Sequence, residues 1–213
     1  MGEAVTCSNG HPVIEIAPER QSENFYRKII LVMRNFKTAF PTHDSEKGEA
    51  YHGKTGQNDI DSWRRVRDNY CSDVFDGWKT LTMTWKNMTQ YEIGMYAQYE
   101  NLFDPDEGPK IVQRMANLFK EAGFPVAPDN DLPCIWYQSV KPEYDRLKDY
   151  WKYNPGFTEA QREGILNLLD LFRKEVAEDK ELMAILDTYY DDIQANMPID
   201  NVMAPKLDER TRS

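Results

Sequence analysis

Three aspartates, Asp187, Asp191 and Asp192, stand beside Tyr189 and Tyr190 late in the chain. Residues four apart on a helix are neighbours, so Asp187 and Asp191 would present their carboxylates side by side. Paired carboxylates are suitable oxygen ligands for magnesium, and helical enzymes acting on diphosphates use such pairs through bridging metals. Asp187 and Asp191 are therefore the metal candidates of this sequence. No second aspartate-rich segment of comparable clarity completes the set, and a solvated acidic helix face is the favoured reading. Two further carboxylate groups, Asp104 with Asp106 and Glu107, and Asp129 with Asp131, fail the spacing of a twelve-residue calcium loop. Their expected work is to favour turns and cap the helices that follow.

Other chemistries lack parts. The histidines are His11, His43 and His52, all expected in an arm or loop rather than on an apolar helix face, and no Glu-x-x-His step exists for a di-metal helical bundle. Cys7, Cys71 and Cys134 are odd in number and widely spaced, which suits neither a disulfide framework nor a zinc site. Reduced thiols in a cytosol-like compartment are expected. Gly53-Lys54-Thr55 resembles the end of a phosphate-binding loop, but the upstream glycine at the required offset and the preceding strand are missing. No nucleophile elbow or dinucleotide glycine motif appears. No catalytic residue and no cofactor are assigned.

The densest basic strip is Arg64, Arg65 and Arg67, closely flanked by Asp59, Asp61 and Asp68. It is expected to be a solvated helix face. The formal net charge of -10 opposes long-range attraction to a phosphate backbone or an anionic membrane, so direct nucleic-acid binding is not expected. No apolar run approaches the ~20 residues that cross a bilayer, and the amino terminus carries no signal pattern. Asn87-Met88-Thr89 matches a glycosylation sequon, which without such a signal is expected to be fortuitous.

The elements that would position these groups follow from periodicity. Residues 1–17 read as an extended arm. Phe25, Ile29, Met33, Phe36 and Phe40 recur at helical spacing and predict a helix from about Glu19 or Ser22 to Phe40, ended by Pro41. A polar, glycine-bearing loop covers about 42–58. From Asp61-Ser62, Trp63, Val66, Tyr70, Val74, Trp78, Leu81, Trp85, Met88, Met95, Tyr99 and Leu102 predict one very long amphipathic helix, or two joined near Gly77 or Gly94. Asp104-Pro105 ends it.

Ile111, Met115, Leu118, Phe119 and Ala122 predict a shorter helix that opens at Gly108-Pro109 and is capped by Gly123. Residues 124–141, with Pro125, Pro128 and Pro133, should cross the surface in extended form, pinned by Trp136 and Tyr137. Pro142 opens a short helix through Trp151. Thr158 and Gln161 form a capping box for a helix carrying Ile165, Leu166, Leu169, Phe172 and Val176. The pattern continues or restarts after Glu178-Asp179 through Ile193 and ends near Pro198. Residues 198–213 read as a tail.

The expected fold is all-α: an irregular bundle over 18–197 with one very long helix and extended arms at both ends. Trp63, Trp78, Trp85 and Trp136 are its expected anchors, in the core or at contacts. The expected function is a non-enzymatic structural or adaptor subunit. It would associate with copies of itself or with other subunits of a larger assembly, of viral or phage type, in the cytoplasm or within a virion. An acidic inhibitor or nucleic-acid mimic binding a basic partner protein is the alternative, although Lys and Arg interleave most helices. A magnesium-dependent helical enzyme using Asp187 and Asp191 is the second alternative.

Overall fold

The computed structural model describes residues 28–43, 57–88, 92–140 and 156–203. These form a mostly helical body with a small parallel sheet. Strand β1 (Lys28–Met33) leads into helix α1 (Phe36–His43), then α2 (Gln57–Asn87) and strand β2 (Glu92–Gln98). A 3-10 turn at Glu100–Phe103 precedes α3 (Gly108–Glu121), and another at Asp129–Asp131 precedes α4 (Leu132–Ser139). The last two helices are α5 (Glu159–Glu175) and α6 (Lys180–Asn196). The expected arm 1–17, residues 44–56 of the loop expected over 42–58, the helix from Pro142 to Trp151, His11, His52, Cys7, Gly53-Lys54-Thr55 and the tail beyond 203 lie outside the described residues; the two ends of that loop are helical, with His43 closing α1 and Gln57 opening α2.

The mostly helical body meets the all-α expectation in its coarse form, and the small sheet is an addition to it. β1 and β2 pair in parallel, from Lys28 opposite Glu92 to Met33 opposite Gln98, with a register shift between Ile29 and Ile30. Both strands lie where the spacing predicts helix, and the physical reason is that this sheet is packed on both faces. Met33 and Tyr96 join the main core, with Leu31 and Ile93 packed against it. Met95 and Ala97 join a second cluster with Ile111 of α3, against which Ile30, Leu102, Met115 and Leu118 pack. A strand covered on both sides loses the strict apolar–polar alternation of a one-faced strand, so its apolar residues also fit a helical period. The helix begins only at Phe36 and runs through Pro41 to His43.

Asn35 makes that start. Its side-chain oxygen accepts from the Lys37 N–H at 3.1 Å, and its carbonyl accepts from the Thr38 and Ala39 N–H groups, as at a helix amino terminus. α2 is continuous through Gly77 for 31 residues, about 46 Å at 1.5 Å per residue. It stops at Asn87, and Gly94 belongs to β2. The single helix expected to reach Leu102 is therefore a helix followed by a strand.

The caps expected at Gly123 and Thr158 form, whereas α3 and α4 start at Glu107 and Asp131 without a side-chain cap bond, because both residues already have helical backbone rather than the extended backbone of a capping residue. Gly123 has φ 83° after α3, the left-handed conformation that glycine adopts without penalty. Thr158 accepts from the Gln161 N–H, and the Gln161 side chain accepts from the Thr158 N–H at 2.8 Å, closing the box at α5. The chain restarts rather than continues at α6, where Asp179 accepts from the Leu182 N–H at 3.1 Å. Residues 132–139, expected to be extended, are helical because Pro133 sits in the first turn of α4, where its missing N–H has no partner to lose.

The main core lies among α1, α2, α5 and α6. Phe36, Phe40, Trp63, Phe75, Phe157, Leu169, Phe172, Leu182, Leu186 and Ile193 fill it. Aromatic packing is dense: Phe36 lies 5.5 Å from Phe40 and 5.0 Å from Phe75 between ring centres, and Trp63 lies 5.4 Å from Phe157. Offset and edge-on contacts of this kind add to the burial of apolar area.

Candidate functional site

The buried line of α2 is not the predicted stripe. Trp63, Arg67, Cys71, Phe75 and Thr82 are buried, whereas Tyr70 is 54% and Leu81 61% exposed. The apolar arc of this helix is wider than the body beneath it. Val66, Val74 and Trp78 pack at the margin of the core, and Trp85 and Met88 are half-buried. Tyr70 and Leu81 lie at the edge of this arc, close to the line of Trp63, and are exposed all the same.

Arg67 overturns the reading of the basic strip as a solvated face. It is fully buried, four residues after Trp63 and four before Cys71, hence on the inner side of the helix. Its Nη1 donates to the carbonyls of Gly156 at 3.0 Å and Asp200 at 2.8 Å. Nη2 donates to the Val202 carbonyl at 2.8 Å, and Nε to Asp68 at 2.8 Å. A buried guanidinium is tolerated only when its donors are satisfied, and three carbonyls and a carboxylate do so here. Arg64, one turn earlier, grips Asp200 with two nitrogens, Nε at 2.8 Å and Nη2 at 3.2 Å, while Nη1 reaches Asp61 at 3.2 Å. Arg64 foremost, against the opposing effect of burial, holds the Asp200 carboxyl below its ordinary range.

These contacts fasten residues 198–203, the start of the expected tail, to the body. The Phe157 N–H donates to Pro198 O at 2.9 Å and the Asp200 N–H to Phe157 O at 2.7 Å, making a parallel bridge between Phe157 and Ile199. The Glu159 N–H donates to Asn201 Oδ1 at 2.9 Å. Trp63 Nε1 reaches Gly156 O at 3.1 Å. Gly156 permits this approach, because a Cβ there would lie 2.6 Å from the Asp200 nitrogen.

A second polar junction sits at the carboxyl ends of the two strands. Glu100 Oε1 accepts from the Asn35 N–H and from Thr38 Oγ1, each at 2.9 Å. Asn35, itself buried, donates its amide to Asp192 at 2.8 Å, and Lys37 pairs with the same carboxylate at 2.6 Å. Tyr189 donates to Met33 O at 2.7 Å, with Glu100 Oε2 at 3.4 Å. Burial, and then the charge of Glu100, push the Tyr189 hydroxyl far up, so its proton stays on the phenol. The junction joins β1, α1, the turn after β2, and α6. Its donors and acceptors hold these elements together rather than stand ready for a proton transfer.

Asp187 and Asp191 stand one turn apart on α6, and Asp187 is engaged by an arginine. Asp187 lies 2.5 Å from Arg173 Nη2, and Arg173 also pairs with Asp170 and lies over the Tyr190 ring. A cation at Asp187 would have to displace that arginine. Asp191 is exposed, and among the described residues no group of three or more His, Cys, Asp or Glu side chains is placed to hold a metal. Asp104 makes the expected turn, accepting from the N–H groups of Asp106 and Glu107 at 2.8 and 2.9 Å. Asp129 accepts from the Gln113 amide at 3.2 Å.

Of the tryptophans, Trp63 is in the main core and Trp78 packs against it, with Nε1 on Arg34 O at 3.1 Å. Trp136 is buried, donates to Leu102 O at 2.6 Å, and sits against Gly108, so it pins α4 to the start of α3. Cys71 is buried and Cys134 exposed. Burial pushes the Cys71 thiol up to about 12 despite the nearby Arg67 charge, which keeps it protonated and a poor nucleophile. No helix among the described residues is long and apolar enough to cross a membrane.

Sequence reasoning missed Arg67, Asp200, Asn35 and Glu100. Arg67 had a usable signal, a lone cation on the line Trp63, Cys71, Phe75, where an apolar residue is the rule. Asn35 and Glu100 had none, since their partners are distant in sequence. Compared with known proteins, the chain matches no family model, no curated protein and no solved structure.

Proposed function

We propose that this chain is a non-enzymatic structural or adaptor subunit that associates with copies of itself or with other subunits of an assembly. The observation that carries this reading is the apolar arc of α2, which leaves Tyr70 and Leu81 exposed at 54% and 61% on a helix whose inner side is already filled. Apolar surface of this kind, on a long rigid helix, is what a partner helix or a second copy covers. A cytoplasmic setting and an assembly of viral or phage type extend the proposal, and neither is carried by a particular residue.

The polar groups favour this reading over the alternatives. Asp179, Asp187, Asp192 and Asp200 pair with the chain's own Lys86, Arg173, Lys37 and Arg64, which leaves them less able to imitate a phosphate backbone or to gather a metal.

The test is mass by light scattering over a concentration series, on the protein and on the Tyr70→Glu and Leu81→Glu variants. The expected result is a defined oligomer that dissociates at least tenfold more readily in either variant, with helical content unchanged. A monomer at every concentration, or an oligomer indifferent to both substitutions, would overturn the reading.

A further inference from the structure

The small sheet is packed on both faces, but the outer edge of β1 is open. β2 buries Met95, Tyr96 and Ala97, whereas β1 buries only Met33 and leaves Val32 46% exposed. One bond fixes the direction of the β1 backbone. Met33 O accepts from the Tyr99 N–H, just past β2, at 2.7 Å, so the peptide groups of Met33 face the β2 side. From Ile30 to Met33 the pairing is regular, and alternate residues of a strand bond to the same side. Leu31 therefore faces β2 as well, while the N–H and C=O groups of Ile30 and Val32 point away from it. No described residue bonds them there. The run Ile29-Ile30-Leu31-Val32-Met33 holds no proline and no charge, and an apolar edge without such devices is a template for another strand. A sheet of two strands also gains most from a third.

We propose that the chain's own residues 13–17 dock antiparallel along the outer edge of β1 and make the sheet three-stranded. Residues 1–27 lead directly into Lys28, where β1 begins. The stretch 18–27 can span about 30 Å, more than the ~20 Å length of β1, so the chain can turn back on its own edge strand. Such a return is antiparallel, as in a hairpin. The register follows from the side chains of Val13-Ile14-Glu15-Ile16-Ala17, which alternate between two faces. Leu31 and Met33 lie on the face toward the main core, where an unpaired carboxylate is costly. Ile14 and Ile16 therefore take that face, and Glu15 stands opposite the exposed Val32. Residues opposite one another in an antiparallel pair share both a face and a bonding direction, so Glu15 exchanges backbone bonds with Val32, and Ala17 with Ile30. Pro12 and Pro18 alternate in step with Ile14 and Ile16, whose peptide groups turn outward, so neither proline deprives β1 of a donor. The prolines fall on the new outer edge and blunt it against further pairing. Unlike the contact surface proposed on α2, this edge is filled within a single chain.

Amide hydrogen exchange of the full chain, followed residue by residue by NMR, tests the docking. The Leu31 and Met33 N–H groups bond toward β2 in any case and serve as the internal reference. The expected result is that the Ile30 and Val32 N–H groups are protected too. Glu15→Pro removes the donor that faces Val32 and should speed exchange at Ile30 and Val32 roughly tenfold or more. Glu15→Ala keeps that donor and should leave the exchange unchanged. Unaltered protection of Leu31, Met33 and α5 shows that the proline variant is folded, and Ala17→Pro, which removes the donor facing Ile30, provides a second variant of the same kind. Exchange of Val32 at the rate of an open peptide in the unsubstituted protein, or protection indifferent to both prolines, would overturn the docking. Protection of Ile30 and Val32 that is lost on dilution would place a second copy's strand on the edge and overturn its assignment to the chain's own arm.

Discussion

Arg67 shows how much one side chain can organise. It replaces solvent for three carbonyls from two separate segments, Gly156 and Asp200 to Val202, while adding no exposed charge. An apolar replacement of similar length leaves those acceptors and Asp68 without this donor. Arg67→Met is expected to destabilise the protein by about 3–5 kcal/mol, as removal of one member of a buried ionic set does, read as a lower urea midpoint. Arg67→Lys keeps the charge but cannot fork to three carbonyls, so it should recover less than half of the loss. A variant within 1 kcal/mol of the parent would contradict the geometry described. The aspartates beside Tyr189 and Tyr190 drew attention in the sequence for the opposite reason. Their spacing was visible and their partners Arg173, Lys37 and Asn35 were not, because those partners come from other helices and turns.

At the scale of elements, local signals were legible and their sidedness was not. The cap at Thr158, the glycine after α3 and the restart at Asp179 each depend on residues within one turn. The two strands depend on each other across α1 and α2, and a window of neighbouring residues contains none of that pairing. α2 lies between these cases: its helicity is clear, yet the expected stripe runs through Tyr70, whereas the helix buries Cys71. Gly77 sits in the middle of this helix with nothing within 4 Å of the position a Cβ would take. Gly77→Ala should therefore stabilise the protein by about 0.8–1.0 kcal/mol through helix propensity alone, measured by urea unfolding. A loss instead would show that the helix needs glycine's freedom there.

Across the whole molecule, carboxylates join elements that are far apart in sequence. Asp179 caps α6 and accepts from both Lys86 at the end of α2 and Tyr96 in β2, at 2.6 and 2.7 Å. Burial alone would raise the Asp179 carboxyl, but the bonds from Lys86, Tyr96 and the Leu182 N–H outweigh it and hold the group below its ordinary value. Asp200 is depressed too, by Arg64. A carboxyl that binds its proton less readily folded than unfolded stabilises the fold above its unfolded value, near 4, and loses that contribution as pH falls through the folded one. Stability should thus be flat in this respect above about pH 5 and decline below pH 4. Asp179→Asn keeps a cap for α6 while discarding the charge. It should lower stability near neutrality and flatten part of the acid decline, as followed by urea unfolding at a series of pH values. An unchanged acid limb would remove Asp179 from this role.

The parallel pairing of β1 with β2 also sets an order of events in time. Strands joined through α1 and all of α2 cannot meet as a hairpin does; they must close a long intervening loop, and the entropy of that closure is spent before any ladder bond forms. α2 is built from contacts local in sequence, whereas the partner that β1 has among the described residues, β2, is complete only when the chain has been made as far as Gln98. During synthesis Ile29 to Met33 therefore wait as an apolar segment without the β2 ladder, a state in which exposed strand-forming sequence favours aggregation and chaperone capture.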